Sequence, residues 1–151
     1  MAKFELEQLA GIAAIKQVVY EWGDQLDLHD GMSIVDANIL TSDVRYCVGG
    51  EWREGLANVG EFYKGRMARL KEADAVPVMR HIISNLKIDF SSDTEAKVDF
   101  LLVFFAKAGE PPFSGYCDPL AVADVWMKCR KEEDGHWRIC EFNSQQMFMR
   151  G

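Results

Sequence analysis

The sequence predicts an α+β fold, and three observations predict it. Apolar residues recur at helical spacing through the first half of the chain. Strand-like runs rich in Val, Ile, Phe and Trp replace them in the second half. Short polar turns join those runs. Helices first and an antiparallel meander afterwards is the α+β arrangement. A strongly curved antiparallel sheet wrapped around three N-terminal helices would form a cone-shaped barrel with a pocket inside.

The elements follow in order. Leu9, Ile12, Ile15, Val19, Gly23 and Leu26 keep helical spacing across residues 6–26. A second, short helix follows Ser33, with Ser33 as N-cap and Asp36 at its third helical position. Residues 44–48 read as a short strand, broken by Gly49 and Gly50. Leu56, Val59, Phe62, Tyr63, Met67 and Leu70 predict a third helix that ends before Pro77. Four strands are predicted over residues 79–90, 96–106, 120–131 and 137–149. Residues 91–94 and 132–135 are hairpin turns. The connection over residues 107–119 is longer and carries Gly-Glu-Pro-Pro-Phe-Ser-Gly.

Bulk properties narrow the function. A chain of 151 residues suits a single domain, 1–151, large enough to bury a core without staples. Its net charge is −7. The basic cluster of Lys64, Arg66, Arg69 and Lys71 is flanked by acidic residues, so the chain lacks the patch that displaces counterions from nucleic acid. It also has no charge reason to seek an anionic membrane. The longest apolar run, residues 100–106, is too short to span a bilayer. Cys47, Cys117, Cys129 and Cys140 show no Cys-x-x-Cys spacing, and the N-terminus does not resemble a signal peptide. These features predict reduced thiols and a cytoplasmic protein.

Chemistry can sit in few places. Successive helix residues turn by about 100°. Leu9, Ala13, Tyr20 and Asp27 therefore fall near one line bordering the apolar stripe of the first helix, which turns Asp27 toward the interior edge. A carboxylate there meets the negative end of the helix dipole, which suits a proton-transfer group; a solvated carboxylate at a helix end is the alternative. Strand alternation groups His81 with Met79, Ile83 and Asn85, and sets Arg80, Ile82, Ser84, Leu86, Ile88 and Phe90 on the other face. A mixed apolar and polar face is what a pocket wall needs, although a lone strand histidine also serves structure. Asp124 interrupts an apolar run and shares a face with Val122 and Trp126. Bare burial of it is costly, so it is paired, protonated or facing a polar cavity. Asn143 and Gln145 on the last strand are candidate pocket hydrogen-bonding groups. A Gly-rich phosphate loop, a Gly-x-Ser-x-Gly elbow and a His-Glu-x-x-His helix are all missing. With three scattered histidines, the sequence predicts no catalytic metal.

Three segments carry a resemblance. Residues 20–30, Tyr-Glu-Trp-Gly-Asp-Gln-Leu-Asp-Leu-His-Asp, resemble the first-helix signature of scytalone-dehydratase-like and SnoaL-like proteins, in which an aromatic-rich helix ends in Asp-x-x-Asp. Arg80-His81-Ile82-Ile83-Ser84-Asn85 resembles the family's histidine strand. Asp134-Gly135-His136-Trp137-Arg138-Ile139 resembles the turn before its last strand. Order and spacing match over nearly the whole chain. The resemblance implies the nuclear transport factor 2-like cone, no cofactor, and a homo-oligomer, with a trimer favoured over a dimer. It implies that Asp27 is the first-helix acid and His81 the general acid/base, and that the substrate is a small hydrophobic, often aromatic, molecule.

The departures also carry information. Leu26 stands where scytalone dehydratase has a tyrosine before the helix acid, and residues 96–107 lack the second histidine. Tyr20 or Tyr46 is the candidate replacement hydroxyl, and Asp124 lies near a position that is polar in the family. Trp22, Phe104, Trp126 and Asn143 are the candidate substrate-binding groups. The leading expectation is a cofactor-independent lyase, a dehydratase or related enzyme releasing water or formaldehyde from an aromatic or phenolic compound in aromatic catabolism. An isomerase or polyketide cyclase using the same pocket is the nearest alternative. A non-catalytic small-molecule-binding or assembly subunit is the third.

Overall fold

The structure, a computed structural model, describes residues 3–28 and 33–151, with the side chain of Ser33 left aside. Helix α1 spans Leu6–Asp27. Glu5 and Gln8 close a reciprocal capping box at its start, the Glu5 N–H donating to Gln8 Oε1 at 2.9 Å. Its buried stripe is Gly11, Ile15, Val19, Trp22 and Gly23. Leu9, counted in that stripe from the sequence, is instead exposed, whereas Ile15, Val19 and Gly23 of the same stripe are buried and Ile12 and Leu26 half-buried. Helix α2, Ser33–Asp36, starts on the residue expected to cap it, and the capping contact lies outside the described side chains. Ile34 of α2 is fully buried.

Strand β1 spans Leu40–Val48 and β2 spans Glu51–Glu54. Gly49 and Gly50, with φ of 62° and 81°, are the two-residue turn of a hairpin between them, where the sequence suggested only a break. The short, charged β2 carries no periodicity that would announce it. Helix α3 spans Leu56–Glu72 and buries Val59, Gly60, Tyr63 and Met67. Strands β3 (Pro77–Phe90), β4 (Glu95–Ala108), β5 (Ala121–Lys131) and β6 (Trp137–Met149) follow the predicted boundaries closely.

One six-stranded sheet results, in the order β2-β1-β6-β5-β4-β3. The expected α+β fold, a curved sheet wrapped around three N-terminal helices, is borne out, and two details refine it. The sheet is curled but unclosed, since β2 and β3 remain its edges. It is also mixed, because β1 pairs parallel to β6 while the other pairings are antiparallel. Helix α1 lies in the concave face, where Ile15, Val19 and Trp22 join Val98, Phe100, Val125, Met127, Ile139 and Phe142 in the main core.

Two local features aim β3 at α1. A bulge between Ser84 and Lys87, with Asn85 at φ 54°, shifts the strand's phase. Met79, His81 and Ile83 face inward before the bulge, and Leu86, Ile88 and Phe90 face inward after it. The simple alternation had put these two sets on opposite faces and Asn85 beside His81; Asn85 is exposed. The second feature is Gly23. A Cβ there would sit 3.3 Å from Ile83 Cδ1 and 3.7 Å from the His81 carbonyl oxygen, so glycine permits the close approach of helix to strand.

Gly23→Val is therefore expected to cost about 1–3 kcal/mol by overpacking. Gly23→Ala should sit near neutral, because its Cβ meets only the flexible end of Ile83. Urea unfolding followed by tryptophan fluorescence checks both, and equal stability of all three proteins contradicts the account.

Candidate active site

The close approach brings the last residue of α1 to the middle of β3. Asp27 Oδ1 lies 2.7 Å from His81 Nδ1, and Asp27 Oδ2 accepts the His81 backbone N–H at 3.3 Å. Both side chains are largely buried, 15% exposed for Asp27 and 10% for His81. One carboxylate thus holds the histidine through backbone and ring together. A carboxylate on Nδ1 fixes the tautomer of a neutral imidazole, placing its proton on Nδ1 and its lone pair on Nε2. It also stabilises the ring once that ring has taken up a second proton.

His81 lines a cavity of about 160 Å³ in the concave face of the sheet. Trp22, Leu26, Leu102, Phe104 and Phe142 supply most of its apolar wall, and Tyr63, Arg66, Ser144 and Gln146 its polar groups. The Phe104 ring stacks on the His81 imidazole at 4.5 Å between centroids, as the cross-strand register of β3 and β4 dictates. Trp22 meets His81 edge-on at 5.9 Å. A smaller recess of about 40 Å³ adjoins it and shares Leu26, Tyr63, Arg66 and His81. The aromatic side chains wall the space and do not plug it. Residues 108–118 contribute nothing to its lining; Phe113, Tyr116, Cys117 and Asp118 line a separate surface cleft.

Behind the wall runs a chain of hydroxyls. Trp22 Nε1–H donates to Tyr46 Oη at 2.8 Å, and the Tyr46 and Tyr63 hydroxyls lie 2.7 Å apart. Tyr46 is fully buried and stacks on Phe142 at 4.4 Å. It does not itself line the cavity; Tyr63 does. Burial pushes the Tyr46 phenol well above its ordinary range and the Tyr63 phenol up to about 12. The Arg66 guanidinium pulls both partly back down.

A family model described as a SnoaL-like domain matches residues 7–143. The chain belongs to the SnoaL-like family. Solved structures agree on the fold. A hexachlorocyclohexane dehydrochlorinase, LinA-type3, from Novosphingobium barchaimii is similar at TM-score 0.74 and 14% identity, over 96% of this chain and 92% of that one. A candidate scytalone dehydratase from Novosphingobium aromaticivorans is similar at TM-score 0.68 and 15% identity, over 95% and 89%. An ntf2-like protein with a cystatin-like fold from the same species is similar at TM-score 0.70 and 18% identity, over 97% and 92%. At these identities the likeness is one of fold. A comparison with curated proteins gave no match.

Several residues singled out in this SnoaL-like domain lie away from the cavity. Tyr20 is 44% exposed on the outer side of α1 and does not line the cavity, where a replacement hydroxyl was expected. Asp124, Trp126 and Asn143 are on the convex face of the sheet. Ala123 and Val125 are buried inward, which turns Asp124 and Trp126 outward, and Trp126 is 40% exposed. Asn143 pairs with Trp126 in register and shares its face. On β6 it is Phe142, Ser144 and Gln146 that reach the cavity. Sequence reasoning missed Tyr63 and Arg66. Tyr63 was counted among the apolar positions of α3, and its place three residues before Arg66 on one helix face was the available signal. His29 and Asp30 of the first-helix signature lie outside the described residues. Among the described residues, no group of three His, Cys, Asp or Glu side chains is placed to hold a metal. No described helix is long and apolar enough to cross a membrane.

The buried phenols set an alkaline limit on stability. An unfolded tyrosine ionises near 10.0, whereas burial in the fold pushes Tyr63 up to about 12 and Tyr46 well above its ordinary value. A folded value raised above the unfolded one contributes stability that is full below about pH 10 and is lost as pH rises through about 12. Urea midpoints should fall steeply above about pH 10, and less steeply in Tyr63→Phe. Identical alkaline slopes for the two proteins would refute this role.

Proposed function

We propose that this SnoaL-like domain is a cofactor-independent lyase acting on a small aromatic or phenolic molecule, with Asp27 and His81 as its acid/base couple. The observation that carries the reading is the 2.7 Å contact between Asp27 Oδ1 and His81 Nδ1 on the wall of an apolar cavity. A cavity of about 160 Å³ matches one ring, since about 150 Å³ of apolar space accommodates benzene.

In this reading His81 Nε2 removes a proton from the substrate. The electron pair of the broken bond feeds a new double bond, and the leaving group departs with its own bonding pair. Where that group is hydroxide, the proton held on His81 joins it and water is released, so the ring returns to neutral. Loss of formaldehyde from a hydroxymethyl group is the related variant. Asp27 stabilises the imidazolium between the two steps. Proton transfer by a placed side chain is worth about 10²–10⁴-fold. The fold neighbours named as a dehydrochlorinase and a candidate dehydratase support an elimination.

The test is turnover of a panel of one-ring phenolic alcohols followed by product mass. Loss of 18 or 30 mass units, roughly the masses of water and formaldehyde, is the expected signature, with His81→Ala slower by about 10²–10⁴-fold and Asp27→Asn also impaired. Products of unchanged mass would replace the lyase with an isomerase. Near-normal turnover by both variants would end the dyad reading.

A further inference from the structure

Two groups from α3 share the cavity lining with His81, and neither has a place in the acid/base couple. Tyr63 and Arg66 line both the main cavity and its recess. Proton counting sets the direction of the hydroxyl chain. Tyr46 Oη accepts the Trp22 N–H, and Tyr46 is fully buried, so its single proton must go to its one polar neighbour, Tyr63 Oη. The Tyr63 proton is then left to point onward, on the side where Tyr63 meets the cavity. Hydrogen bonds in such a chain polarise one another, which strengthens the terminal donor.

Arg66 adds charge at the same place. Among the described residues it is the only side chain with a fixed charge lining either space. No carboxylate among the described residues forms an ion pair with it. In a protein of net charge −7 an unneutralised guanidinium beside an apolar cavity is a selective feature. Its field reaches both phenols, pulling each toward ionisation against their burial.

We infer that Tyr63 and Arg66 form an oxyanion-recognising pair, so that the substrate is a ring carrying an ionised or ionising oxygen, a phenolate or an enolate. The inference rests on the reading of this cavity as a substrate site. It adds a polarity to that site: His81 handles the proton, and the Tyr63 hydroxyl and the Arg66 guanidinium hold the oxygen that gathers negative charge. Electrostatic stabilisation of this kind uses donors fixed before the reaction begins.

Binding of 4-nitrophenol and of nitrobenzene, two one-ring probes that differ by the ionisable oxygen, tests the pair without any turnover. Affinities are measured by titration at a pH above the free phenol's own pKa. The wild type should prefer 4-nitrophenolate over nitrobenzene by at least about ten-fold, and Tyr63→Phe and Arg66→Gln should each reduce that preference by on the order of ten-fold. Arg66→Lys should keep part of it. Arg66 is exposed, so its variants test the idea even if Tyr63→Phe proves poorly folded. His81→Ala should keep the preference while losing turnover, which separates this inference from the dyad. Equal binding of both probes, or a preference that survives both α3 variants and disappears in His81→Ala, overturns the pair and leaves the lyase reading standing. Failure of both probes to bind sinks both.

Discussion

The approach of α1 to β3 at Gly23 is the constraint on which the rest depends. The helix lies so close to the strand there that a side chain larger than a methyl group has no room, with Ile83 and the His81 backbone already within van der Waals reach of a Cβ. The approach brings Asp27, at the helix's end, to both the backbone N–H and the ring of His81. A carboxylate at a helix C-terminus faces the negative end of the dipole, at a cost of a few tenths of a kcal/mol to about 1 kcal/mol. Two hydrogen bonds to one residue offset that cost and leave the histidine in a single orientation. Trp22, one residue before Gly23, lines the cavity and anchors Tyr46.

The concave face divides its labour by element. Strand β3 brings the histidine, the end of α1 its carboxylate, β4 the ring that stacks on it, and α3 a hydroxyl and a cation. The convex face carries a different surface. Ile82, Val103, Val122 and Phe148 are paired in register across four strands, with Ile82 and Phe148 exposed. Asp124 and Trp126 belong to that outer surface. A single sheet thus presents a polar-tipped aromatic cavity on one side and an apolar row on the other, as strand alternation requires.

Much of this was legible in the sequence because periodicity survives burial. Helix α1, helix α3 and the four long strands follow from spacing alone, and the couple of Asp27 and His81 follows from the family signature. What was not legible has local causes. The hairpin strand β2 is four charged or half-exposed residues with no pattern to read. The bulge at Asn85 inverts the alternation of β3 without any glycine or proline to announce it. The inward or outward sense of β5 depends on which alternate set is buried, and both sets hold apolar residues. Tyr63 and Arg66 read as helix packing and surface charge until α3, packed on β1 and β2, brings both to the cavity. The parallel pairing of β1 with β6 joins segments nearly a hundred residues apart, beyond what local pattern specifies.

The orientation of His81 by Asp27 is the central claim, and the protonation of the two ring nitrogens reads it directly. Long-range nitrogen–proton correlation NMR on protein labelled at histidine distinguishes the two neutral tautomers. The geometry predicts that neutral His81 carries its proton on Nδ1, and that Asp27→Asn shifts the ring away from that state while the fold persists. A wild-type ring protonated on Nε2, or a tautomer unchanged by Asp27→Asn, would contradict it.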